Sequence, residues 1–452
     1  MASSGKSNSN RVPETAAAAL EPTLAPGARL VLGLSGGVDS VALLAVLAEL
    51  GATMRFSLRA LHVNHGISPN APRWAEFCAD ICRRIGVPLQ VVCADLTPYR
   101  SFGLEGAARR ARYAILARED ADFIVLAHHR DDQAETLLLQ LLRGAGLAGL
   151  AGMPAERLLP DSRTQVLRPL LKCSRADIEA FARERGLTWI EDESNTDLLR
   201  QRNFLRHRVL PLIEEQYPSA RETIARAAAH LGEADALLAD LARIDVADVG
   251  RGAALDAAGL CRLGRTRAKN ILRFLCDANG ATAPSAARLD EFWRQLVQAR
   301  SSAAVCVEMP GWQFRRFRGQ VYLEPSRAPM PGEFRETWNG ENALPLLALG
   351  GVLRFKPEEG LGVSSALLKR AQVTVRLRRG GERLQPDCRR PRRTLKNLLQ
   401  ELRIPPWCRA RMPLVYCGEE LVCAPGIGED CAWKAAKGEP GLIISWEPIG
   451  KP

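Results

Sequence analysis

The 452-residue sequence lacks closely spaced cysteine pairs, since none of its 12 cysteines belongs to a C-x-x-C motif. Zinc ribbons and iron–sulfur clusters need such pairs, so the absence argues against both kinds of site. The nearest approach, Cys78 and Cys82, has the i,i+4 spacing of one packed helix face. We therefore expect all twelve cysteines to be reduced thiols, most of them small core residues.

Long apolar segments are also missing. No run approaches the ~20 apolar residues that a membrane helix requires. Met1–Asn10 lacks the apolar core of a secretory signal. The composition, 46% hydrophobic and 25% charged, is ordinary for a globular protein. These features predict a cytoplasmic protein without membrane contacts.

Acidic residues are too few to balance the basic ones, and the formal net charge is +11. Most of the excess lies between Arg376 and Arg411, where 12 Lys/Arg face three acids and give a local net charge of +9. Charge that serves solubility is spread over a surface, whereas a concentrated patch favours contact with a polyanion.

The length of the chain predicts two to four domains. Residues 1–26 are expected to form a disordered tail. Residues 27–215 alternate β-rich runs with helical patterns, which predicts an α/β domain with a doubly wound, Rossmann-type parallel sheet. We expect a mostly helical middle domain at 216–328 and a small α+β domain at 329–452, with a proline-rich linker at 325–331.

Short polar motifs follow several of the predicted strands. The candidate strands are 29–34, 57–63, 89–94, 122–127 and, less regular in pattern, 188–191. Because ligands bind beyond the carboxyl ends of parallel strands, the motifs after the first, second and fourth strands mark the expected site.

The first motif, Ser35-Gly-Gly-Val-Asp-Ser40, joins a predicted strand to a predicted helix. Adjacent glycines let the backbone approach an anion, and the free N–H groups of the following helix attract it. The motif is neither a G-x-x-x-x-G-K-[ST] loop nor a G-x-G-x-x-G turn. By itself it indicates a phosphate site or an ordinary Ser/Gly turn at the start of a helix.

Several further motifs make the chain resemble the tRNA(Ile)-lysidine synthases, a family of PP-loop ATP pyrophosphatases with a HUP-like fold. Besides the Gly-Gly turn, they are His62-Val-Asn-His-Gly66, Ala107-Ala-Arg-Arg-Ala-Arg-Tyr113, Ala127-His-His-Arg-Asp-Asp-Gln-Ala-Glu-Thr136, Trp189-Ile-Glu-Asp-Glu-Ser-Asn195, Arg202-Asn-Phe-Leu-Arg206, Arg376-Leu-Arg-Arg-Gly-Gly-Glu-Arg383 and Ile404-Pro-Pro-Trp407. The match is dense over the first 215 residues and clear over 370–447, whereas the middle matches only in position and helical character.

This resemblance implies a two-step ligase reaction that uses ATP and Mg²⁺. ATP first adenylates the C2 oxygen of the wobble cytidine in an isoleucine tRNA with a CAU anticodon, and pyrophosphate leaves. The ε-amine of free lysine then attacks C2 and AMP leaves, which changes decoding from AUG to AUA. The implied partners are this tRNA and free lysine, and a homodimer is one open oligomeric state.

The resemblance assigns the ATP site to residues around the first turn, and Asp39 is the candidate catalytic residue, facing magnesium or the lysine amine. The ATP-binding residues are Ser35, Gly36, Gly37, Val38, Asp39, Ser40 and His62. An aspartate in the first turn of a helix also has a plain alternative role, a cap with a favourable dipole interaction.

Lysine recognition is assigned to Asp132 and Glu135, which share a helix face at i,i+3 and together can hold an ammonium group. Arg109 or Arg112 would bind the lysine carboxylate. The alternative is a solvated, acid-rich start of a helix. The pairs His62/His65 and His128/His129 lack a third ligand, so we expect no metal held by protein side chains alone.

Two arginine groups are the tRNA candidates. Arg202 and Arg206 would hold nucleotide or tRNA phosphate, with arginines on a packed helix as the alternative. Arg389, Arg390, Arg392 and Arg393 would grip the tRNA backbone. Trp407 is expected to pack in a core rather than to stack on a base.

Other enzymes with the same ATP chemistry are the rival interpretations. A tRNA 2-thiolation enzyme would need sulfur-handling cysteines, usually paired, and a small-molecule synthetase would not call for the basic C-terminal stretch. A non-catalytic nucleic-acid binder would tolerate loss of Asp39, Asp132 or Glu135, and all are present. The sequence leaves open how the isoleucine tRNA is distinguished from the methionine tRNA with the same anticodon.

Overall fold

The computed structural model describes residues 11–159, 162, 164–252, 254–281, 283–298, 305–326 and 332–448. The chain divides into two compact units, Met1–Arg243 and Ile244–Pro452. In the described part of the chain, no helix is both long and apolar enough to cross a membrane.

A six-stranded sheet in the order β3-β2-β1-β4-β6-β5 organises the first unit. All its pairs are parallel except β5 with β6. The strands are β1 (Arg29–Gly33), β2 (Ser57–Asn64), β3 (Leu89–Cys93), β4 (Phe123–Val125), β5 (Glu156–Leu158) and β6 (Gln165–Leu167). The helices are α1 (Arg11–Leu20), α2 (Val38–Met54), α3 (Ala71–Ile85), α4 (Gly103–Leu116), α5 (Arg130–Leu142), α6 (Leu147–Leu150), α7 (Arg175–Glu184), α8 (Gln201–Phe204), α9 (Leu210–Gln216) and α10 (Ala220–Val249).

The central strand β1 shows why the sheet is covered on both faces. Leu30 and Leu32 belong to one buried apolar cluster, whereas Val31 belongs to another. Successive side chains of a strand point to opposite faces, so a strand with no polar alternation needs helices on both sides. The predicted doubly wound parallel sheet is confirmed.

The expected disorder at residues 1–26 is wrong for residues 11–26, which the structure describes, because α1 lies within them. Val12, Ala16 and Leu20 are fully buried in the main core of the unit. Their i,i+4,i+8 spacing is that of an amphipathic helix, a signal that the polar first ten residues obscured. Residues 1–10 lie outside the described part of the chain.

The expected strand at 188–191 is also absent from the described sheet. The backbone N–H of Ile190 donates to Gly36 O at 2.9 Å, so this segment pairs with the Gly-Gly turn rather than with a strand. The strands that the sequence pattern missed, β5 and β6, have only three residues each, too few for a period to be recognised.

The second unit begins with helices packed on a five-stranded sheet in the order β7-β8-β11-β10-β9. These elements are α11 (Ala257–Leu263), α12 (Arg265–Ala278), α13 (Ala286–Gln298), β7 (Gly250–Arg251), β8 (Ala254–Asp256), β9 (Cys306–Met309), β10 (Trp312–Phe317) and β11 (Gln320–Pro325). Leu272, Phe292 and Phe314 lie in their common core. The helical character expected of the middle region is confirmed.

The rest of the second unit is a small α+β arrangement, as expected. Its strands form the sheets β12-β16-β19-β20-β21, β13-β14-β22-β15 and β17-β18. They are β12 (Arg335–Thr337), β13 (Ala343–Leu346), β14 (Gly351–Glu359), β15 (Val363–Ser364), β16 (Val373–Arg376), β17 (Arg383–Leu384), β18 (Arg393–Thr394), β19 (Leu414–Cys417), β20 (Glu420–Ala424), β21 (Gly428–Glu429) and β22 (Pro440–Pro448). The helices are α14 (Ser365–Leu368), α15 (Leu395–Glu401) and α16 (Pro406–Ala410).

The exact domain limits stay predictions. The boundaries after residues 215 and 328 are not tested by the division at Arg243. Most of the expected linker at 325–331, namely residues 327–331, lies outside the described part of the chain.

The expectation that every cysteine is a free thiol is wrong for one pair. Cys388 and Cys431 form a disulfide across a sequence separation of 43 residues, and ten other cysteines are free. The backbone N–H of Cys431 donates to Gln385 O at 2.9 Å, which brings the two segments together. A pair so distant in sequence has no spacing signature.

Candidate active site

The Gly-Gly turn lies between β1 and α2, where the strand order of the sheet reverses. Ser40 Oγ accepts hydrogen bonds from the backbone N–H groups of Ser35 and Gly36 at 3.2 and 3.1 Å. It also donates to Gly37 O at 3.0 Å. The buried Ser40 hydroxyl therefore braces the turn from inside, whereas Ser35 and Gly37 line a cavity.

Gly36 must be glycine for two reasons. Its φ of +89° is in the left-handed region that side chains disfavour. A Cβ there would lie 2.7 Å from Ile190 Cδ1 and 3.2 Å from Cys78 Sγ. Segment 188–191 therefore packs directly over the turn, a contact that the sequence pattern did not reveal.

Asp39 is bound from a second helix rather than serving as a cap. The N-cap of α2 is Gly37, and no side chain caps this helix. Asp39 Oδ2 accepts a 2.6 Å hydrogen bond from Arg175 Nη1 of α7. Asp39 Oδ1 lies 3.8 Å from His129 Nε2 and, within the described residues, is buried without a hydrogen-bond partner. Burial raises the pKa of Asp39, and His129 and Arg175 oppose that shift.

His62 presents one ring nitrogen to the cavity. His62 Nδ1 lies 2.9 Å from Leu34 O, so Nδ1 carries the proton and donates it. Burial lowers the pKa of His62, which keeps the ring neutral. The remaining nitrogen, Nε2, is then an acceptor suited to a ligand N–H or hydroxyl. The neighbouring His65 is likewise neutral, since burial, Arg112 and His62 lower its pKa to about 4.

Asp132 and Glu135 share one face of α5, as their spacing predicts, and arginines hold both. Arg206 Nε and Nη2 bond the two oxygens of the fully buried Glu135 at 2.6 and 3.0 Å. Arg206 Nη2 also lies 3.2 Å from Asp132 Oδ1. Arg202 Nε lies 3.4 Å from Glu135 Oε2. The alternative of a solvated acidic helix start is therefore wrong.

A π-helical turn at Leu205–Val209 presents Arg206 to this pair. Such turns insert one extra residue into a helix and are frequent at functional sites. Burial alone would raise the pKa of Asp132, but His129, His128 and Arg202 lower it below its ordinary value. Asp132 is thus ionised, and both carboxylates are embedded in arginines.

A cavity of about 950 Å³ connects most of the predicted site residues of the first unit. Its lining includes Ser35, Gly37, Val38, Asp39, His62, Arg109, Arg112, Arg202 and Arg206. Asp132 and Glu135 are not among the residues that line it, because Arg202 and Arg206 cover them. The structure therefore brings Arg109 and Arg112 to the same cavity as Arg202 and Arg206. The carboxylates of Asp132 and Glu135 lie behind Arg202 and Arg206.

Arg109 and Arg112 surround Tyr113 together with the buried Arg168. Their guanidinium carbons lie 5.1 and 5.9 Å from the Tyr113 ring centre. Burial would raise the pKa of Tyr113, but Arg109, Arg168 and Arg112 lower it. Among the described residues, no carboxylate lies within ion-pair distance of these three arginines. Of the three, Arg109 and Arg112 line the cavity and form a cationic wall available to an anionic ligand group.

Sequence reasoning missed Arg168 and Arg175. Arg175 stands in the first turn of α7, where the helix dipole disfavours a cation. That mismatch was the available signal, because a cation at a helix N-terminus needs a carboxylate or an anionic ligand nearby. Arg168 has no such signal, since it follows a three-residue strand.

The four C-terminal arginines assigned to tRNA, Arg389, Arg390, Arg392 and Arg393, differ in how closely they pair with carboxylates. Arg392 Nη2 lies 2.6 Å from Asp430 Oδ1, a carboxylate that is fully buried. Arg393 bonds Glu401 at 2.7 Å. These two arginines are anchored, so their charge is partly neutralised by the protein itself.

Arg389 and Arg390 are more exposed. Arg390 Nε lies 3.4 Å from Asp387 Oδ2, an ion pair that is open to solvent on both sides. Arg389 is exposed, and its backbone N–H is bound by Asp387 Oδ1 at 2.9 Å. Both lie beside the Cys388–Cys431 disulfide. Of the four, these two have the most charge to offer a polyanion.

Arg376 and Trp407 are structural within the basic stretch. The buried Arg376 bonds Glu419 at 2.8 Å. Trp407 makes edge-on contacts with Phe317 and Tyr322 at 6.0 and 5.6 Å between ring centres. Trp407 is half-buried and packs against a β-hairpin, so its expected position in a core is wrong.

In the part of the chain that the structure describes, no group of three or more His, Cys, Asp or Glu side chains is arranged to hold a metal ion. Among the described residues that line the cavity, Asp39 Oδ1 is the one buried carboxylate oxygen without a hydrogen-bond partner. A cation there would need most of its ligands from a bound molecule.

Three family profiles match the chain in order. A PP-loop domain matches residues 9–213, a TilS substrate binding domain residues 255–322, and a TilS substrate C-terminal domain residues 373–446. The first contains the whole cavity. The third contains the four C-terminal arginines.

Curated relatives align over nearly the whole chain. The tRNA(Ile)-lysidine synthase of Nitrosomonas europaea is 41% identical over 95% of this chain and 94% of its own length. That of Aromatoleum aromaticum is 42% identical over 94% of this chain and 98% of its own length. A solved U34-tRNA thiolase from Methanococcus maripaludis covers 50% of this chain and 80% of its own at 20% identity, but its TM-score of 0.44 is too low to support an argument.

Proposed function

The chain belongs to the tRNA(Ile)-lysidine synthase family, and we propose that its N-terminal cavity carries out both steps of lysidine formation. The enzyme is an ATP-using ligase that forms a carbon–nitrogen bond. One observation carries the assignment to this cavity: the Gly-Gly turn, Asp39 and the cationic wall of Arg109 and Arg112 line the same 950 Å³ space.

The turn end of the cavity suits ATP. Ser35, Gly36, Gly37 and Val38 would place backbone N–H groups against the phosphates at the start of α2. His62 Nε2 would accept a hydrogen bond from the nucleoside part. The C2 oxygen of the cytidine then attacks the α-phosphorus, and the bond to the bridging oxygen breaks as pyrophosphate departs.

Asp39 fits a role beside magnesium. Its Oδ1 is buried and unpartnered, a state that is costly for a carboxylate without a cation. Mg²⁺ prefers oxygen ligands and is usually held by one or two carboxylates together with substrate phosphates, whose charge it neutralises. Once pyrophosphate has left, the same oxygen is available to accept a proton from the lysine ε-amine.

The lysine end of the cavity is the cationic wall with the acidic pair behind it. Arg109 or Arg112 would bind the lysine carboxylate through paired N–H groups. The α-ammonium would reach Asp132 and Glu135 only if Arg202 or Arg206 shifts, because these arginines cover the carboxylates. We propose that the shift frees the two arginines for nucleotide or tRNA phosphate.

The C-terminal arginines would bind the phosphate backbone of the tRNA. Arg389 and Arg390 would contribute most, since Arg392 and Arg393 have close carboxylate partners. The proposed setting is the cytoplasm, where ATP, lysine and tRNA coexist.

Incubation with ATP, labelled lysine and tRNA transcripts tests the proposed function. We expect label to enter the isoleucine transcript with a CAU anticodon and not the methionine transcript, with one AMP released per lysine joined. A thiolation enzyme would instead transfer sulfur from a donor and leave lysine free. Failure to label the isoleucine transcript would overturn the proposal.

A further inference from the structure

Arg175 bonds Asp39 at the turn end of the cavity, a place where a cation can take part in ligand binding. Its Nη1 lies 2.6 Å from Asp39 Oδ2, and its Nε lies 2.8 Å from Glu179 Oε1. Its side chain is 37% exposed and lines the same cavity as Ser35 and Gly37. Among the described residues, Arg175 Nη2 has no hydrogen-bond partner.

The surroundings of Arg175 are built to attract an anion. The N-termini of α2, α5 and α7 meet here, since Arg130 N donates to Cys173 O at 2.8 Å and Arg175 bonds Asp39. Three helix N-termini place positive dipole ends around one point. His129, 4% exposed, adds a buried Nδ1 without a hydrogen-bond partner in the described structure.

Arg175 and Asp39 neutralise each other's charge where they meet at the turn. A carboxylate alone at the turn would repel phosphate, and the arginine cancels that charge. When a phosphate chain with its magnesium enters, the carboxylate gains a cation and the guanidinium gains an anion. Arg175 keeps its Nε bond to Glu179, so the side chain needs only to redirect its two terminal nitrogens.

We propose that Arg175 binds the pyrophosphate portion of ATP and stays with it as the leaving group, after exchanging Asp39 for phosphate. Arg175 is then a ligand-binding residue of the adenylation step. This inference rests on the proposed function for its place in the reaction, but the binding itself can be measured without tRNA or lysine.

Direct binding measurements test the proposal. Calorimetric titration of the full chain with magnesium pyrophosphate, and separately with AMP, would compare wild type with Arg175→Gln and Arg175→Lys. Loss of a charge-assisted bidentate contact should weaken pyrophosphate binding about tenfold or more in Arg175→Gln. AMP binding should change less than about twofold, and Arg175→Lys should retain part of the pyrophosphate affinity because its charge remains.

Arg183→Gln is the matched control. Arg183 lies on the same helix and bonds the same Glu179 at 2.9 Å, but it does not line the cavity. We expect this variant to bind pyrophosphate as the wild type does.

Wild-type pyrophosphate affinity in Arg175→Gln would overturn the proposal. Equal losses of pyrophosphate and AMP affinity would overturn it too, because Arg175 would then only support the turn. Lysine transfer by the wild type decides the proposed function separately, so the two failures are distinguishable.

Discussion

The cavity of the first unit and the basic stretch of the second use arginine in opposite ways. In the cavity, Arg175 and Arg206 bond carboxylates that lie far away in sequence, on other helices. In the basic stretch, Arg390 and Arg393 bond acids at most eight residues away on an exposed surface. Buried long-range pairs fix geometry, whereas exposed local pairs leave most of the charge to solvent.

The difference shows that a charge count and a binding surface are not the same thing. The local net charge of +9 includes Arg376, which is buried and paired with Glu419 outside the stretch. It also includes Arg392, anchored on buried Asp430. The cationic surface that a polyanion meets is therefore smaller than the sequence indicates.

Removing the charge of Asp39 should have the largest effect, and it tests whether the cavity carries the chemistry. Asp39→Asn keeps the shape but loses the carboxylate for magnesium and amine. We expect lysine transfer to fall by about a thousandfold, in line with the loss of one preorganised electrostatic group. Thermal unfolding should show a folded protein, and activity near that of the wild type would remove Asp39 from the mechanism.

Breaking the buried pair behind the cavity should cost stability. Glu135→Gln leaves Arg206 with Asp132 alone and should lower the free energy of unfolding by about 3–5 kcal/mol. It should also raise the KM for lysine, as measured in the transfer assay.

Asp240→Asn provides the control for that variant, since it breaks an exposed pair with Arg243. Urea unfolding should show a loss below about 1 kcal/mol. Equal losses in the two variants would mean that burial does not distinguish the two kinds of pair.

Neutralising the basic stretch should weaken tRNA binding without affecting the chemistry. Changing Arg389, Arg390, Arg392 and Arg393 together to glutamine should reduce the salt dependence of tRNA binding. By analogy with DNA, each phosphate contact contributes about 0.9 to the slope of log affinity against log salt. The pair Arg389/Arg390 should account for more of the reduction than Arg392/Arg393. An unchanged slope in the fourfold variant would exclude this stretch as a phosphate contact.

Acid should act mainly on the cavity, and the effect should be the smallest of the four. The pKa of His65 is lowered from 6.5 to about 4 in the folded chain. Below pH 6.5 the unfolded chain protonates this histidine whereas the folded chain does not, so the contribution of His65 to stability falls as the pH falls and levels off near pH 4. Urea unfolding at pH 7, 5.5 and 4.5 measures this, and His65→Gln should have a shallower pH dependence.

The sequence was sufficient to predict the main elements of the site, but not which side chains bond to one another within it. The Gly-Gly turn, the face shared by Asp132 and Glu135, and the doubly wound parallel sheet follow from local spacing. The bonds of Arg206 to Glu135 and of Arg175 to Asp39 join residues 71 and 136 positions apart, and no local pattern encodes them. The disulfide between Cys388 and Cys431 could not be predicted for the same reason, since 43 positions separate the two cysteines.

Local sequence patterns also led to one missed helix and one wrongly predicted strand. Helix α1 was hidden because its apolar side chains are mostly alanine, a weak hydrophobic signal. Residues 188–191 look like a strand because Thr188, Trp189 and Ile190 are residue types enriched in strands, yet they cover the turn instead of joining the sheet. Tertiary contacts decided both cases.

The central claim is that the cavity carries out the chemistry whereas the basic stretch only binds tRNA. Single-turnover lysine transfer at saturating enzyme concentration tests this claim most directly. The account predicts transfer about a thousandfold slower in Asp39→Asn at any enzyme concentration, and wild-type transfer by the fourfold arginine variant once its weaker tRNA binding is saturated. Transfer by Asp39→Asn at the wild-type rate, or a slow rate in the arginine variant that saturation does not restore, would contradict it.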